Sequence, residues 1–393
     1  MRVLLLAEGD AETRDSWSGI SRSVLLELRS RGHTVIAGDV ELHGLDRWVT
    51  AALTFSPDRL RWRTRFRLGA PAFEGRSRRA ARRIATHTQN VDVILQVGAT
   101  FEPRRHSATP YVLFCDSNVR LAMDGAASGY GEAVALSTAE LSGVEAREVA
   151  VYQGAAAIFT LSEYTRQSFV RDFSIAPERV TAVHGGPNFD VTTVPPAAPA
   201  DSAGPPTVLF VGRQFARKGG DLLLEAFRKV RRAVPNAELV IVGPQRLDVS
   251  DPGVRFLGFL DKDRPDGSAA IAEAYRSADV FCLPTRFEAF GIAFIEAMHF
   301  GLPCIGTRVW AVPEIIADGE TGFVVPRDDV DTLTERLVKL LGDRALARRM
   351  GAAGRARALR LFTWSAVVDR MLEKLEGVIA PALGVPGNDE QSS

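Results

Sequence analysis

The chain predicts an α/β protein made of two doubly wound halves, each a parallel sheet wrapped by helices. Three observations predict it. Short apolar runs recur without alternation, as strands buried on both faces do. Helical patterns separate those runs at the spacing of βαβ units. A stretch of proline and small residues, 187–206, then breaks the series, which afterwards restarts. At 393 residues the chain is also longer than one core usually grows.

The first half opens with "VLLLA" as a strand, a loop "EGDAETRDSWSGI", a helix over "SRSVLLELRSRG" and a strand at "HTVIAGDV". The runs "VDVILQVG", "YVLFCD", "AAIFTLS" and "RVTAVHGG" continue the theme. Past the break come "TVLFVG", a helix through "DLLLEAFRKVRRAV" and "AELVIVG". "VRFLGFL", a helix near "AAIAEAYRSA", then "VFCLP", "LPCIGT" and "GFVVP" complete the second half. The expected boundaries are 1–188 for the first domain, 189–206 for the hinge, 207–380 for the second domain and 381–393 for a polar, disordered tail. Ligands of such sheets bind beyond the carboxyl ends of the strands, and two facing domains are expected to make a cleft.

Composition narrows the function. Lys+Arg and Asp+Glu are 48 each, so no global field draws in nucleic acid. Cys115, Cys282 and Cys304 are widely spaced with no CxxC or Cys/His cluster, which excludes a disulfide framework and a zinc site and suits a cytoplasmic protein. No window reaches the roughly 18 uncharged apolar residues of a membrane span, so any membrane contact is expected to be peripheral. One segment stands apart: residues 59–83, "RLRWRTRFRLGAPAFEGRSRRAARR", hold ten arginines against one glutamate, with Trp62, Phe66 and Phe73 interleaved. A solvated basic surface is the plain reading. The sharper one is contact with an anionic membrane or a pyrophosphate-linked lipid acceptor.

The chemistry concentrates in the second half. In "VLFVGRQFARKGG" a strand ends at Gly212, Arg213 follows in the loop, and Lys218 precedes a helix. Two cations at a strand's end beside a helix N-terminus suit a diphosphate; two solvated surface cations are the alternative. In "FEAFGIAFIEAM" the only charges are Glu288 and Glu296, and the helix is expected to begin near Gly291. Helical side chains lean toward the N-terminus, so the Glu296 carboxylate is expected at the mouth of the cleft. Ionised carboxylates only accept hydrogen bonds and would repel phosphate, so their partners should be hydroxyls on either side of it. Ribose at one end and a sugar at the other describe a nucleotide sugar. For Glu296 the alternative is the wet edge of an amphipathic helix.

Here the sequence resembles a known family. "VGRQFARKGGDLLLEAF", "FLGFL", "SADVFCLPTRFEAFGIAFIEAMHFGLPCIGT", "VPEIIADGETGFVVP" and the late "FTW" are similar, in order, to the C-terminal half of retaining glycosyltransferases of the GT-B fold, family four (group 1). "SGISRSVLLELRSRGHTV" and "LSEYTRQSFVRDFSIAPERVTAVHGGPN" look like parts of that family's first half, and the likeness is loose between about 40 and 130. The resemblance implies a transferase that moves a sugar from a nucleotide-sugar donor to a hydroxyl of a glycan, lipid-linked or small-molecule acceptor. It implies that Arg213 and Lys218 bind the diphosphate, that Glu296 takes the ribose hydroxyls and that Glu288 faces the donor sugar. Backbone amides around Phe290, Gly291 and Ile292 would hold the sugar and phosphate, and Gly19 would let the first-domain loop close on the phosphates.

Two places depart from the family pattern. Where a histidine commonly follows a first-domain strand, this chain reads "LFCDSN", so Asp116 stands in that place, with a turn or helix cap as its alternative. His106, ten residues earlier, is a loop histidine without an assigned role. "VWAVPEII" lacks the usual Gly-Gly, and Trp310 sits there instead. "DDVD" at 328–331 reads as a helix cap rather than a metal pair, and with the positive groups above no metal ion or other cofactor is expected. A glycosidase shares the two carboxylates but has no use for the cations. A nucleotide-sugar epimerase and a non-catalytic nucleotide-sugar-binding subunit remain as alternatives.

Overall fold

The computed structural model describes residues 1–13, 16–87, 91–103, 109–127, 129, 132–189, 204–244 and 250–379. The chain folds into two compact units, Met1–His184 with Trp364–Ser393, and Gly185–Thr363.

The first unit runs β1 (Arg2–Ala7), α1 (Ile20–Ser30), β2 (Thr34–Asp39), α2 (Gly44–Leu53), α3 (Arg59–Leu68), α4 (Ala70–His87), β3 (Val93–Val97), β4 (Tyr111–Cys115), α5 (Val119–Ala127), α6 (Thr138–Gly154), β5 (Ala157–Thr160), α7 (Glu163–Phe173) and β6 (Val180–Ala182). The strands form a parallel sheet in the order β2, β1, β3, β4, β5, β6. Val3 to Ala7 and all of β3 and β4 are buried, which explains why these strands read as unbroken apolar runs. Helix α1 buries Val24, Leu25 and Leu28, the stripe its periodicity predicts. Helix α6 begins with a reciprocal cap between Ser137 and Glu140.

The second unit runs β7 (Thr207–Val211), α8 (Gly220–Ala233), β8 (Glu238–Val242), β9 (Val254–Gly258), α9 (Pro265–Arg276), β10 (Val280–Leu283), α10 (Ile292–His299), β11 (Cys304–Thr307), α11 (Val312–Ile315), β12 (Gly322–Val325), α12 (Val330–Gly342) and α13 (Arg344–Leu361). Its parallel sheet has the order β12, β11, β10, β7, β8, β9. Each apolar run read as a strand in the sequence falls on one of these strands.

The last helix, α14 (Trp364–Ile379), belongs to the first unit, not to a second domain extending to 380. It packs on α1 and β5. Arg31 donates to the Ser365 carbonyl at 2.9 Å and hydroxyl at 2.8 Å and pairs with Asp369, while Arg370 donates to the Val183 carbonyl at 2.7 Å. The boundary was hidden because the helical pattern runs on from α13, and the apolar face of Val367, Val368, Met371 and Leu375 would suit either core. The hinge at 190–203, His106 and the tail from 380 lie outside the described residues.

Candidate functional site

In the second sheet the chain winds one way from β7 to β9, then returns to the other side of β7 with β10. The switch point of this doubly wound sheet therefore lies between β7 and β10, where ligands bind beyond the strand ends. The loop after β7 carries Arg213 and Lys218, and the loop after β10 carries Glu288, Phe290 and Gly291. The two loops are stitched together. The Arg217 guanidinium donates to the Phe287 carbonyl at 2.6 Å, and the Arg286 amide donates to the Arg217 carbonyl at 2.9 Å. Arg286 also donates to the Ala216 carbonyl at 2.6 Å and pairs with Asp221 and Asp328, both at 2.7 Å. The buried Thr285 hydroxyl donates to the Phe287 carbonyl at 3.0 Å.

Lys218 sits on this seam and forms an ion pair with Glu288, which is 6% exposed. Burial pulls the ammonium below its usual pKa, and the Glu288 carboxylate opposes that pull. The carboxylate thus holds a buried cation in its charged form. Arg213 is exposed at the end of β7, its guanidinium 5.0 Å from the Phe259 ring centre. Gly219, just past Lys218, has φ 73°, and a Cβ there would collide with the Pro284 carbonyl. Only glycine lets the two loops approach this closely.

Gly291 starts α10 at φ 97° without a side-chain cap. A Cβ on it would lie 2.8 Å from the Phe294 ring. Ile292 is the first residue of α10 and half-buried, while Phe290 is buried, its ring edge-on to Phe362. The first turn of α10 presents backbone N–H groups that no side chain caps.

Glu296 is 1% exposed, so it lies neither at a wet helix edge nor at an open mouth. The Lys262 ammonium donates to one oxygen at 2.6 Å and the Asn188 amide to the same oxygen at 3.3 Å. The Tyr275 hydroxyl donates to the other at 2.9 Å. Burial and the neighbouring Glu296 charge push the Tyr275 phenol well above its usual pKa. Tyr275 of α9 thus lies against the carboxylate. Both acids of the pair are therefore buried, and each is matched by a lysine.

Asp329 caps α12, accepting from the Thr332 amide at 2.9 Å and hydroxyl at 2.6 Å, which agrees with the reading of "DDVD". Among the described residues no group of three or more His, Cys, Asp or Glu side chains gathers with the geometry of a metal site. Trp310 adopts φ 47° and packs on Phe287 with ring centres 4.4 Å apart.

In the first unit Gly19 stands at the start of α1 with φ 84°. Asp116 follows β4, and burial raises its carboxyl pKa against the pull of Arg67. It is not the cap of α5, since the Leu121 amide donates to Asn118 Oδ1 at 3.0 Å. Nearby, Glu148 of α6 is half-buried and accepts from the Tyr152 hydroxyl and the Val119 amide. The basic segment 59–83 is not one solvated face. Arg76 is fully buried and pairs with Glu8 at 2.9 Å, at the carboxyl end of β1.

Residues 205–343 match the family described as Glycosyl transferases group 1. The chain is 38% identical over 181 residues to a phosphatidyl-myo-inositol mannosyltransferase of Mycobacterium leprae, covering 44% of this chain and 46% of that one. It is 32% identical over 248 residues to a GDP-mannose-dependent alpha-(1-6)-phosphatidylinositol monomannoside mannosyltransferase of Mycolicibacterium smegmatis, covering 55% and 61% respectively. The matched stretches thus span roughly half to three fifths of these relatives. In fold it is similar to the sucrose-phosphate synthase of Thermosynechococcus elongatus, with a TM-score of 0.71 at 20% identity, covering 97% of this chain and 100% of that one. Its architecture is the two-domain α/β GT-B fold.

Several residues that shape the site do not stand out in the sequence. Lys262 and Tyr275 hold Glu296, and Arg286 clamps the two loops. Lys262 lies in "DKDRPDG", a polar turn that reads as solvent-exposed, and Tyr275 reads as a core aromatic of α9.

Proposed function

We propose that this chain transfers a sugar, with retention at the anomeric carbon and without a metal ion, from a nucleoside diphosphate sugar to a hydroxyl of a lipid-linked acceptor. The names of the two mannosyltransferases above favour GDP-mannose as donor and a phosphatidylinositol-type lipid as acceptor. The observation that carries the reading is the pairing at the switch point: Lys218 with Glu288 and Lys262 with Glu296, both acids buried, on either side of the uncapped start of α10.

In this reading the first turn of α10, Arg213 and Lys218 face the diphosphate. Glu296 accepts from the ribose hydroxyls, Lys262 and Tyr275 fixing its direction, and Glu288 accepts from the sugar. The acceptor hydroxyl forms the new bond to the anomeric carbon on the face that the diphosphate leaves, and the departing phosphate oxygen takes the proton. Arg213 and Lys218 stabilise the charge growing on the leaving group, a contact worth about 3 kcal/mol of barrier in comparable sites. Asp116 would lie on the acceptor side. Helix α3 with its arginines and exposed Leu60 and Trp62 supports peripheral contact with an anionic membrane, at its cytoplasmic face given the three buried free thiols. No helix among the described residues is long and apolar enough to cross a membrane.

The test is transfer from GDP-mannose to phosphatidylinositol vesicles in the presence of EDTA, with the anomer read by NMR. The parent should form an α-linked mannolipid. Glu296→Gln should weaken GDP binding, and Arg213→Ala should chiefly lower turnover. Parent-like transfer by both variants would overturn the site. Interconversion of the donor sugar without transfer would mean an epimerase, and GDP binding without any turnover a binding subunit.

A further inference from the structure

A groove of about 420 Å³ runs through the first unit between the end of α2, the α3–α4 junction and α6. Its walls are largely apolar, with Leu53, Pro71, Leu136, Ala139 and Val144 among them. Its volume and lining fall within the range of small-molecule sites. The polar side chains on its rim already have partners. Glu140 pairs with Arg61 at 3.0 Å and with Arg65, and Arg147 donates to the Leu68 carbonyl at 2.9 Å. A ligand that brings hydrocarbon rather than hydrogen bonds suits such a wall.

Both ends of the groove lead somewhere. At the outer end Leu53 is 69% exposed, and α2 also exposes Trp48 (75%) and Leu45 (77%) at helical spacing from it. Exposed apolar patches of this kind mark interaction surfaces. Arg59 and Arg63, exposed on the adjacent α3, match the charge of anionic headgroups. At the inner end Val144 and Arg147 also line a water-sized cleft of about 10 Å³ beside Arg67, Thr100 and Glu148, near the carboxyl ends of β3 and β4.

From this continuity we propose that the groove takes one acyl chain of the acceptor lipid, entering past Leu53 while the headgroup reaches the strand ends. The proposal rests on the reading that the acceptor is lipid-linked. It makes chain length, and not only the headgroup, a determinant of which acceptor is used.

Gly143 of α6 lines the groove, and a Cβ on it meets only the Arg147 guanidinium at 3.5 Å, an ordinary contact. Gly143→Phe should therefore fill the groove without displacing α6. The experiment is calorimetric titration of the full chain with lysophosphatidylglycerol below its micellar concentration, and with chain-free glycerophosphoglycerol. The parent should bind the single-chain lipid saturably, one per protein, at least tenfold more tightly than Gly143→Phe does. Ala139→Leu serves as a second blocking variant, and circular dichroism checks that both fold. Equal binding by folded blocked variants would overturn the proposal, as would equal binding of the chain-free compound, which would mark an anion site at the arginines. Flotation with anionic vesicles and GDP binding should be unchanged in both variants; loss of either would also count against a groove-specific role. Failure of the lipid-acceptor reading would appear separately, as a parent that transfers sugar to no lipid.

Discussion

At the scale of single residues, charge inside this molecule is held by specific partners, some on the same helix and some far along the chain. Glu148 has the clearest consequence. Burial raises its pKa to about 7, against the lowering effect of the Tyr152 hydroxyl, the Val119 amide and the Arg147 and Arg67 charges. The fold therefore prefers the protonated acid. Its stabilising contribution is complete below the usual carboxyl pKa near 4.5, is lost as pH rises through about 7, and is absent above. Glu148→Gln, which mimics the protonated form, should remove that slope. At pH 8 the variant should be more stable than the parent by about 3 kcal/mol, and at pH 4.5 nearly equal, in urea unfolding at each pH. Identical pH dependence in both proteins would contradict this. Such partnerships are illegible in the sequence. Glu288 and Glu296 were recognisable because acids stand out in an apolar run. Lys262 looks like any surface lysine until α9 and α10 are assembled around it.

At the scale of elements, the sequence reading succeeds where local chemistry decides and fails where a surface decides. The strands announced themselves by burial on both faces, and the start of α10 by Gly291 after an aromatic. Helix α2 did not: "GLDRWVTAAL" has a helical apolar pattern, yet its Leu45, Trp48 and Leu53 face outward. Amphipathic periodicity says that a face is apolar, not what covers it. Two glycines give a matched test of the local rule. Gly219→Ala places a side chain at positive φ against the Pro284 carbonyl and should destabilise the second unit by about 2 kcal/mol or more. Gly377→Ala, in an open position on α14, should stabilise by about 0.5–1 kcal/mol. Thermal unfolding of the two variants should shift in opposite directions.

At the scale of the whole molecule, the decisive feature is the return of α14 to the first unit. It covers α1 and β5 with Val367, Val368, Met371 and Leu375 and ties down Arg31 and Val183. A chain ending at Thr363 should therefore lose stability in the unit that does not contain the cut's sequence neighbours. Hydrogen exchange should quicken in α1 and β5 while β7 to β12 keep their protection. Equal loosening of both units would show that α14 serves the second unit instead.

That return also sets an order of events during synthesis. Segments emerging from a ribosome tend to fold as they appear, first made first. Here the earliest-made unit lacks its closing helix until the entire later unit has left the tunnel. Its α1 surface must wait, uncovered, through the translation of 179 intervening residues, Gly185 to Thr363. Slow passage through that stretch should leave the nascent protein dependent on chaperones that shield an apolar helix face.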